Sequence, residues 1–346
     1  MDVIAAIMET READVNVADS MGSRALYMTI CGGQEAVVKR LLDQEGVNPN
    51  EIISKDGWTP LLFATILGRE ATVKILLERE GVNPDQPDTK HGRTPLWWAA
   101  ASGHEGVVKM LLGREGINPD PSDTKYGRTP LFWAAMKGHE LIVKMFLDQD
   151  DVNPNKPDTE DGLSPLAMAV VMGHEGVVKV LLEREGVNPN QPDTKHSITP
   201  LSFSAMGGHE GIVIRLLERE DVTPDQLDTK YGLTPLFWAA VKGHEGVVQV
   251  LLEREDVNPN HADTAYGRTP FSWAAQNGHE RVIMMFLEQG MSALLDNNQS
   301  PLSLAPPKGP RGVARILLEQ ADPDSHKASH GDNTSFPPLG LGMSLS

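Results

Sequence analysis

The chain has 346 residues, 40% of them hydrophobic, and carries 48 acidic against 31 basic side chains for a formal charge of −17. That balance repels phosphate backbones and excludes nucleic acid as an expected partner, and no apolar run reaches the roughly 18 residues needed to span a bilayer, so no membrane partner is expected either. Cys31 is the single cysteine, which rules out an internal disulfide and any multi-cysteine metal centre, and it reads as a small core residue.

The chain begins MDVIAAIMETREAD, without the basic start and long apolar centre of a signal peptide, so the expectation is an intracellular protein, cytoplasmic or nuclear and not secreted. Residues 1–20 look like the second half of a unit that then recurs, which makes them a partial N-terminal cap. Thr-Pro or Ser-Pro pairs fall at 59/60, 94/95, 129/130, 164/165, 199/200, 234/235 and 269/270, each step being 35 residues. Seven clear copies cover residues 46–290, and one degenerate copy precedes them, with Arg24-Ala25 where Thr-Pro belongs. The array is therefore placed at 21–290, a degenerate C-terminal capping copy at 291–320, and a Gly/Ser/Pro-rich tail, expected to be disordered, at 321–346.

Within a copy, Pro95 fixes φ at a first helical turn and Thr94 can cap it, so a helix is predicted from Pro95 to Ser102. Gly103 permits a left-handed exit, and a second helix begins with Glu105 near its positive end. Val107/Val108 and Leu111/Leu112 put an apolar face on that helix, and the following GINPDPSDTKYGR, rich in Pro, Asp and Gly, is a hairpin-like loop. Ala99 and Ala100, with their equivalents in other copies, are small enough for close stacking. No copy can bury its apolar face alone, so the units share one continuous core. Ser197 stands where the other clear copies have glycine, at a turn position that requires φ > 0.

The stretches GRTPLFWAAMKGHE (127–140) and VVKVLLEREGVN (177–188) closely resemble the ankyrin repeat, and the likeness covers about 90% of the chain. The near-identity of copies is also similar to ankyrin arrays of filamentous fungi. The resemblance implies an elongated, curved all-α repeat solenoid of helix-turn-helix units with hairpin-like loops, which binds proteins through its tips and concave face and lacks catalysis. The 35-residue unit is longer than the family's usual 33, and the family's common His after TPL is replaced, for example by Trp97, Phe132 and Phe237.

Six histidines share one phase: His104, His139, His174, His209, His244 and His279. Equivalent residues on stacked helices stand about 8–10 Å apart, too far to share a zinc ion at ~2.1 Å per bond, so they are assigned a structural role bridging backbone groups between copies. Trp98, Trp133, Trp238 and Trp273 likewise read as an inter-repeat packing column rather than a ligand platform. The acids recur as LERE and PDT on surfaces expected to face water. With no phosphate loop and no nucleophile motif, no enzyme activity, metal or cofactor is expected.

Specificity is expected where copies differ while the frame stays fixed. The loop tips give Lys90/His91, Lys125/Tyr126, Glu160/Asp161, Lys195/His196, Lys230/Tyr231 and Tyr266. The residue before Thr-Pro gives Trp58, Arg93, Arg128 and Arg268, alongside Leu163, Ile198 and Leu233. The ends of the first helices give Met136, Lys137, Met172 and Lys242. These residues are the candidate partner-binding set of a monomeric, non-enzymatic scaffold for an intracellular protein. The alternative is a regulatory, inhibitory or tethering subunit of an enzyme or transcription factor, with the 321–346 tail as a second contact.

Overall fold

A computed structural model describes residues 25–44, 47–290, 313 and 316. The caps at 1–20 and 291–320, apart from Val313 and Ile316, and the tail at 321–346 lie outside the described residues. Sixteen helices run in pairs among the described residues: α1 (Ala25–Cys31) and α2 (Glu35–Leu42), α3 (Pro60–Ile66) and α4 (Glu70–Leu77), α5 (Pro95–Ser102) and α6 (Glu105–Leu112), α7 (Pro130–Lys137) and α8 (Glu140–Leu147). They continue as α9 (Pro165–Val171) and α10 (Glu175–Glu183), α11 (Pro200–Gly207) and α12 (Glu210–Leu217), α13 (Pro235–Lys242) and α14 (Glu245–Leu252), α15 (Pro270–Asn277) and α16 (Glu280–Glu288). The odd-numbered helices pack on one another in one row and the even-numbered helices in a second, each unit touching its neighbours. This is an all-α repeat solenoid.

Local chemistry sets the helix bounds. Thr94, Thr129, Ser164, Thr199, Thr234 and Thr269 each accept a backbone N–H three residues on, and proline occupies the first turn that follows. The second helices lack a side-chain cap but carry Glu at their first residue, where the positive end of the helix favours an acid. The small residues do what stacking needs: Ala99, Ala100, Ala134, Ala135, Ala239 and Ala240 are fully buried; Phe132, Phe146 and Phe286 are buried in the continuous core, and Phe237 packs in a smaller cluster with Leu233, Trp238, Val241 and Trp273.

Polar ties join the copies. His104, His174, His244 and His279 each donate from Nε2 to the carbonyl of Ile66, Met136, Met206 and Val241 in the preceding copy, at 2.9–3.2 Å. Burial and the neighbouring His244 push His209 below the usual histidine range, which favours a neutral ring at that position. Glycine is required beneath this bridge: Gly138 has φ 77°, and a Cβ there would lie 2.9 Å from His174 Nδ1. At the tips, the N–H of Thr124, Thr159, Thr194, Thr229 and Thr264 donates to the carbonyl of His91, Tyr126, Asp161, His196 and Tyr231.

A third ladder runs through the VNPN loops. Asn155 Oδ1 accepts from the N–H of Asn188 at 2.8 Å while its Nδ2 donates to the carbonyl of Gly186 at 2.7 Å; Asn50 and Asn190 repeat both bonds. Asp85 and Asp225 keep only the first, from Asn118 and Asn258, and their Oδ1 atoms are buried without a partner.

Ser197, with φ 57°, is the one non-glycine residue at positive φ among the described residues. Its hydroxyl lies 3.2 Å from that of Thr229, which offsets part of the strain. Ser197→Gly is expected to stabilise the array by up to about 1 kcal/mol, read as a higher melting temperature; a lower one would mean that the hydroxyl pair outweighs the backbone strain.

Two expectations are corrected by the packing. Cys31 is exposed, because it falls at the end of its first helix, a position that Ala101 and Met136 also leave partly open in later copies. The PDT acids are not on a wet surface. Asp88, Asp123, Asp158, Asp193, Asp228 and Asp263 are all buried, since each carboxylate folds back to organise its own loop.

Candidate functional site

The tip is built around that buried aspartate in six copies, while the first clear copy has Ile53 there. Asp88 Oδ1 accepts from the N–H of His91 at 2.6 Å and of Lys90 at 3.1 Å; Asp123 does the same for Tyr126 at 2.7 Å and Lys125 at 3.1 Å. The second oxygen is turned to the tryptophan ten residues on: Trp98, Trp238 and Trp273 donate from Nε1 to Asp88, Asp228 and Asp263 at 3.2, 3.2 and 2.8 Å. The tryptophan column therefore clamps tips as well as packing, and a fixed tip is what allows its variable residues to be displayed in a set direction.

In the copy with Met168 in place of tryptophan, Asp158 takes a different partner. Arg128 of the preceding copy donates from Nε to Asp158 Oδ2 at 3.0 Å and from its terminal nitrogen to Glu160 Oε2 at 2.8 Å, with its side chain only 11% exposed. Lys195 pairs with Asp161. Asp158, Glu160 and Asp161 place carboxylate oxygens within 4.8 Å of one another, but Arg128 and Lys195 already supply the countercharge there.

The candidate residues divide by exposure. Lys90, Lys125, Lys137, Glu160, Met172, Lys195, Lys230, Lys242 and Tyr266 are exposed; Trp58, His91, Arg93, Tyr126, Arg128, Met136, Asp161, His196, Tyr231 and Arg268 are partly buried. Leu163, Ile198 and Leu233, from the row before Thr-Pro, are buried at 4%, 2% and 3% and belong to the core instead of the displayed set. That row points under the tip, so an apolar residue there packs, whereas an arginine bends outward along aromatic faces. Arg93 lies 4.2 Å from the Trp97 ring centre, Arg128 lies 4.6 Å from Tyr126, and Arg268 lies 5.6 Å from Tyr266. Lys125 and Lys230 lie over the adjacent Tyr126 and Tyr231 at 4.3 and 4.7 Å.

A model of three consecutive ankyrin repeats matches residues 2–88, 51–123, 116–193 and 185–263, and a model of one ankyrin repeat matches 266–300. The chain belongs to the ankyrin repeat family. Ankyrin repeats generally mediate protein–protein interactions. Comparison with curated proteins finds no match. In this ankyrin array no helix among the described residues is long and apolar enough to cross a membrane.

Sequence reading had no view of the aspartate clamp or of the Arg128 pairs. Part of the signal for the first was available: the DT aspartate stands ten residues before a tryptophan in four copies, although it is kept as Asp158 and Asp193 where Met168 and Phe203 replace the tryptophan.

Proposed function

We propose that the array is a non-enzymatic scaffold that binds a protein across the face formed by its loop tips and the ends of its first helices. One observation carries this reading: the residues that vary between copies are held as cation–aromatic pairs, such as Lys125/Tyr126 and Lys230/Tyr231, on tips fixed by buried aspartates. Tyrosine, tryptophan and arginine are the residue types that concentrate binding energy at interface centres, and a pre-ordered tip loses little entropy when it docks. Met136 and Met172 add adaptable apolar contact at the helix ends.

The test is affinity capture from the native cell's lysate with the wild-type chain and with Tyr126→Ala/Tyr231→Ala. A protein retained by wild type and reduced at least tenfold by the variant, whose melting temperature must match wild type, is the expected result. Equal retention by both would move the binding surface elsewhere.

A further inference from the structure

Arg93 and Arg128 hold the same position in adjacent copies, yet their charges are treated differently. Arg128 finds Asp158 and Glu160 in the following copy because Met168 leaves the aspartate's second oxygen open. For Arg93 one acceptor is lost and the other is unused. Lys125 stands where Glu160 would be, and Asp123 Oδ2, the equivalent of the first acceptor of Arg128, is buried without a hydrogen-bond partner, bonded neither by Arg93 nor by Trp133. Arg93 turns instead onto Trp97 and Trp98, at 4.2 and 5.4 Å, and its Nε is buried with no partner. Trp133 Nε1, in the next copy, is also buried and unpartnered, and the Trp133 ring lies 5.0 Å from that of Trp97, tilted by 59°.

Lys90, on the tip of the Arg93 copy, and Lys125 and Lys137, in the Trp133 copy, are exposed and none is in an ion pair among the described residues; Lys137 Nζ lies 5.8 Å from the Trp133 ring. Cations and two desolvated N–H donors thus meet on a chain whose net charge is −17. A partly buried charge without a counterion is costly, and an incoming carboxylate that supplies one recovers that cost.

We infer that this part of the face receives an acidic, extended segment of a protein partner, one of whose carboxylates pairs with Arg93 in the way that Glu160 pairs with Arg128. This rests on the scaffold reading above. Stacked units are about 10 Å apart and an extended chain rises about 3.3 Å per residue, so acids three residues apart meet Lys90 and Lys125 together. A single-stranded nucleic acid is disfavoured because Trp97, only 2% exposed, offers no open ring face for base stacking.

The experiment selects a phage-displayed random peptide library on the full-length chain and titrates the enriched peptides by fluorescence anisotropy. The inference expects Asp or Glu at three-residue spacing, with affinity reduced at least tenfold by Lys125→Glu and by Arg93→Gln and unchanged by Lys109→Glu on the second helix. Lys125 is exposed, so its variant keeps the test decisive if Arg93→Gln fails to fold. Enriched peptides that are neutral or basic but still weakened by Tyr231→Ala would overturn the acidic partner and leave the binding face standing. No enriched peptide, or peptides indifferent to every one of these tip substitutions, would overturn both. An unlabelled single-stranded oligonucleotide that displaces the acidic peptides at equal concentration would show that the surface reads phosphate, and the inference would fail.

Discussion

Asp228→Ala will destabilise the array by about 3 kcal/mol, the largest single-residue loss expected outside the apolar core. Asp228 is 2% exposed and accepts from the N–H of Tyr231 at 2.6 Å and from Trp238 Nε1 at 3.2 Å. Alanine removes both bonds and leaves the indole N–H, itself buried, with nothing to donate to; the cost is that of two charge-assisted bonds and one orphaned donor. Asp123→Ala supplies the comparison. Trp133 Nε1 is already unpartnered there, so the loss should be smaller by about 1 kcal/mol. Urea unfolding of the two variants checks this, and equal losses would mean that the tryptophan bond contributes nothing.

Asp85→Asn/Asp225→Asn will stabilise the array at pH 7 by about 2 kcal/mol, from one regained hydrogen bond at each site. At Asn50, Asn155 and Asn190 the amide donates to the carbonyl 31 residues on, a bond that a carboxylate cannot make. Burial raises both aspartates above the ordinary carboxylate range, opposed at each by one backbone N–H and, at Asp225, by His261. Asp256 adds a further upward push at Asp225. A carboxyl whose pKa is higher folded than unfolded stabilises fully only below its unfolded pKa, and that contribution is lost as pH rises through the folded value. The advantage of the double variant should therefore be greatest near neutrality and shrink as the pH falls through the raised values toward 3.8, since a protonated aspartate can donate as asparagine does. Thermal melts from pH 7 to pH 4 read this directly; a gap independent of pH would remove the aspartates as its cause.

Much of the frame was legible because its signals are local. Thr94 and Pro95 mark a helix start within two residues, Gly103 marks its end, and the spacing of Val107, Val108 and Leu111 marks a buried face. The in-phase histidines were legible by elimination, since stacked copies cannot share an ion. What escaped was set across copies. Nothing adjacent to Arg128 in sequence shows that Asp158 and Glu160, 30 and 32 residues on, neutralise it. Nor does a polar loop reveal that its aspartate turns inward; Asp263 looks solvated until its bond to Trp273 is seen. The candidate face was legible as a set of variable positions, but Leu163, Ile198 and Leu233 vary for packing and not for display.

Every polar tie described between copies spans between 30 and 38 residues, from the Arg128 pair to the histidine bridges, so none reaches past the adjacent unit. Removing 35 residues, or a multiple of them, from the middle of the array brings equivalent donors and acceptors together again at the new junction. Recombination between near-identical stretches such as 123–135 and 228–240 deletes or adds three whole units at once and keeps the histidine bridges and the threonine ties of the frame, while a deletion removes Asp158 and Glu160 and with them the Arg128 pair. The length of this protein is thus open to inheritance by whole steps, and each step shortens or extends the display without any need to invent a new fold.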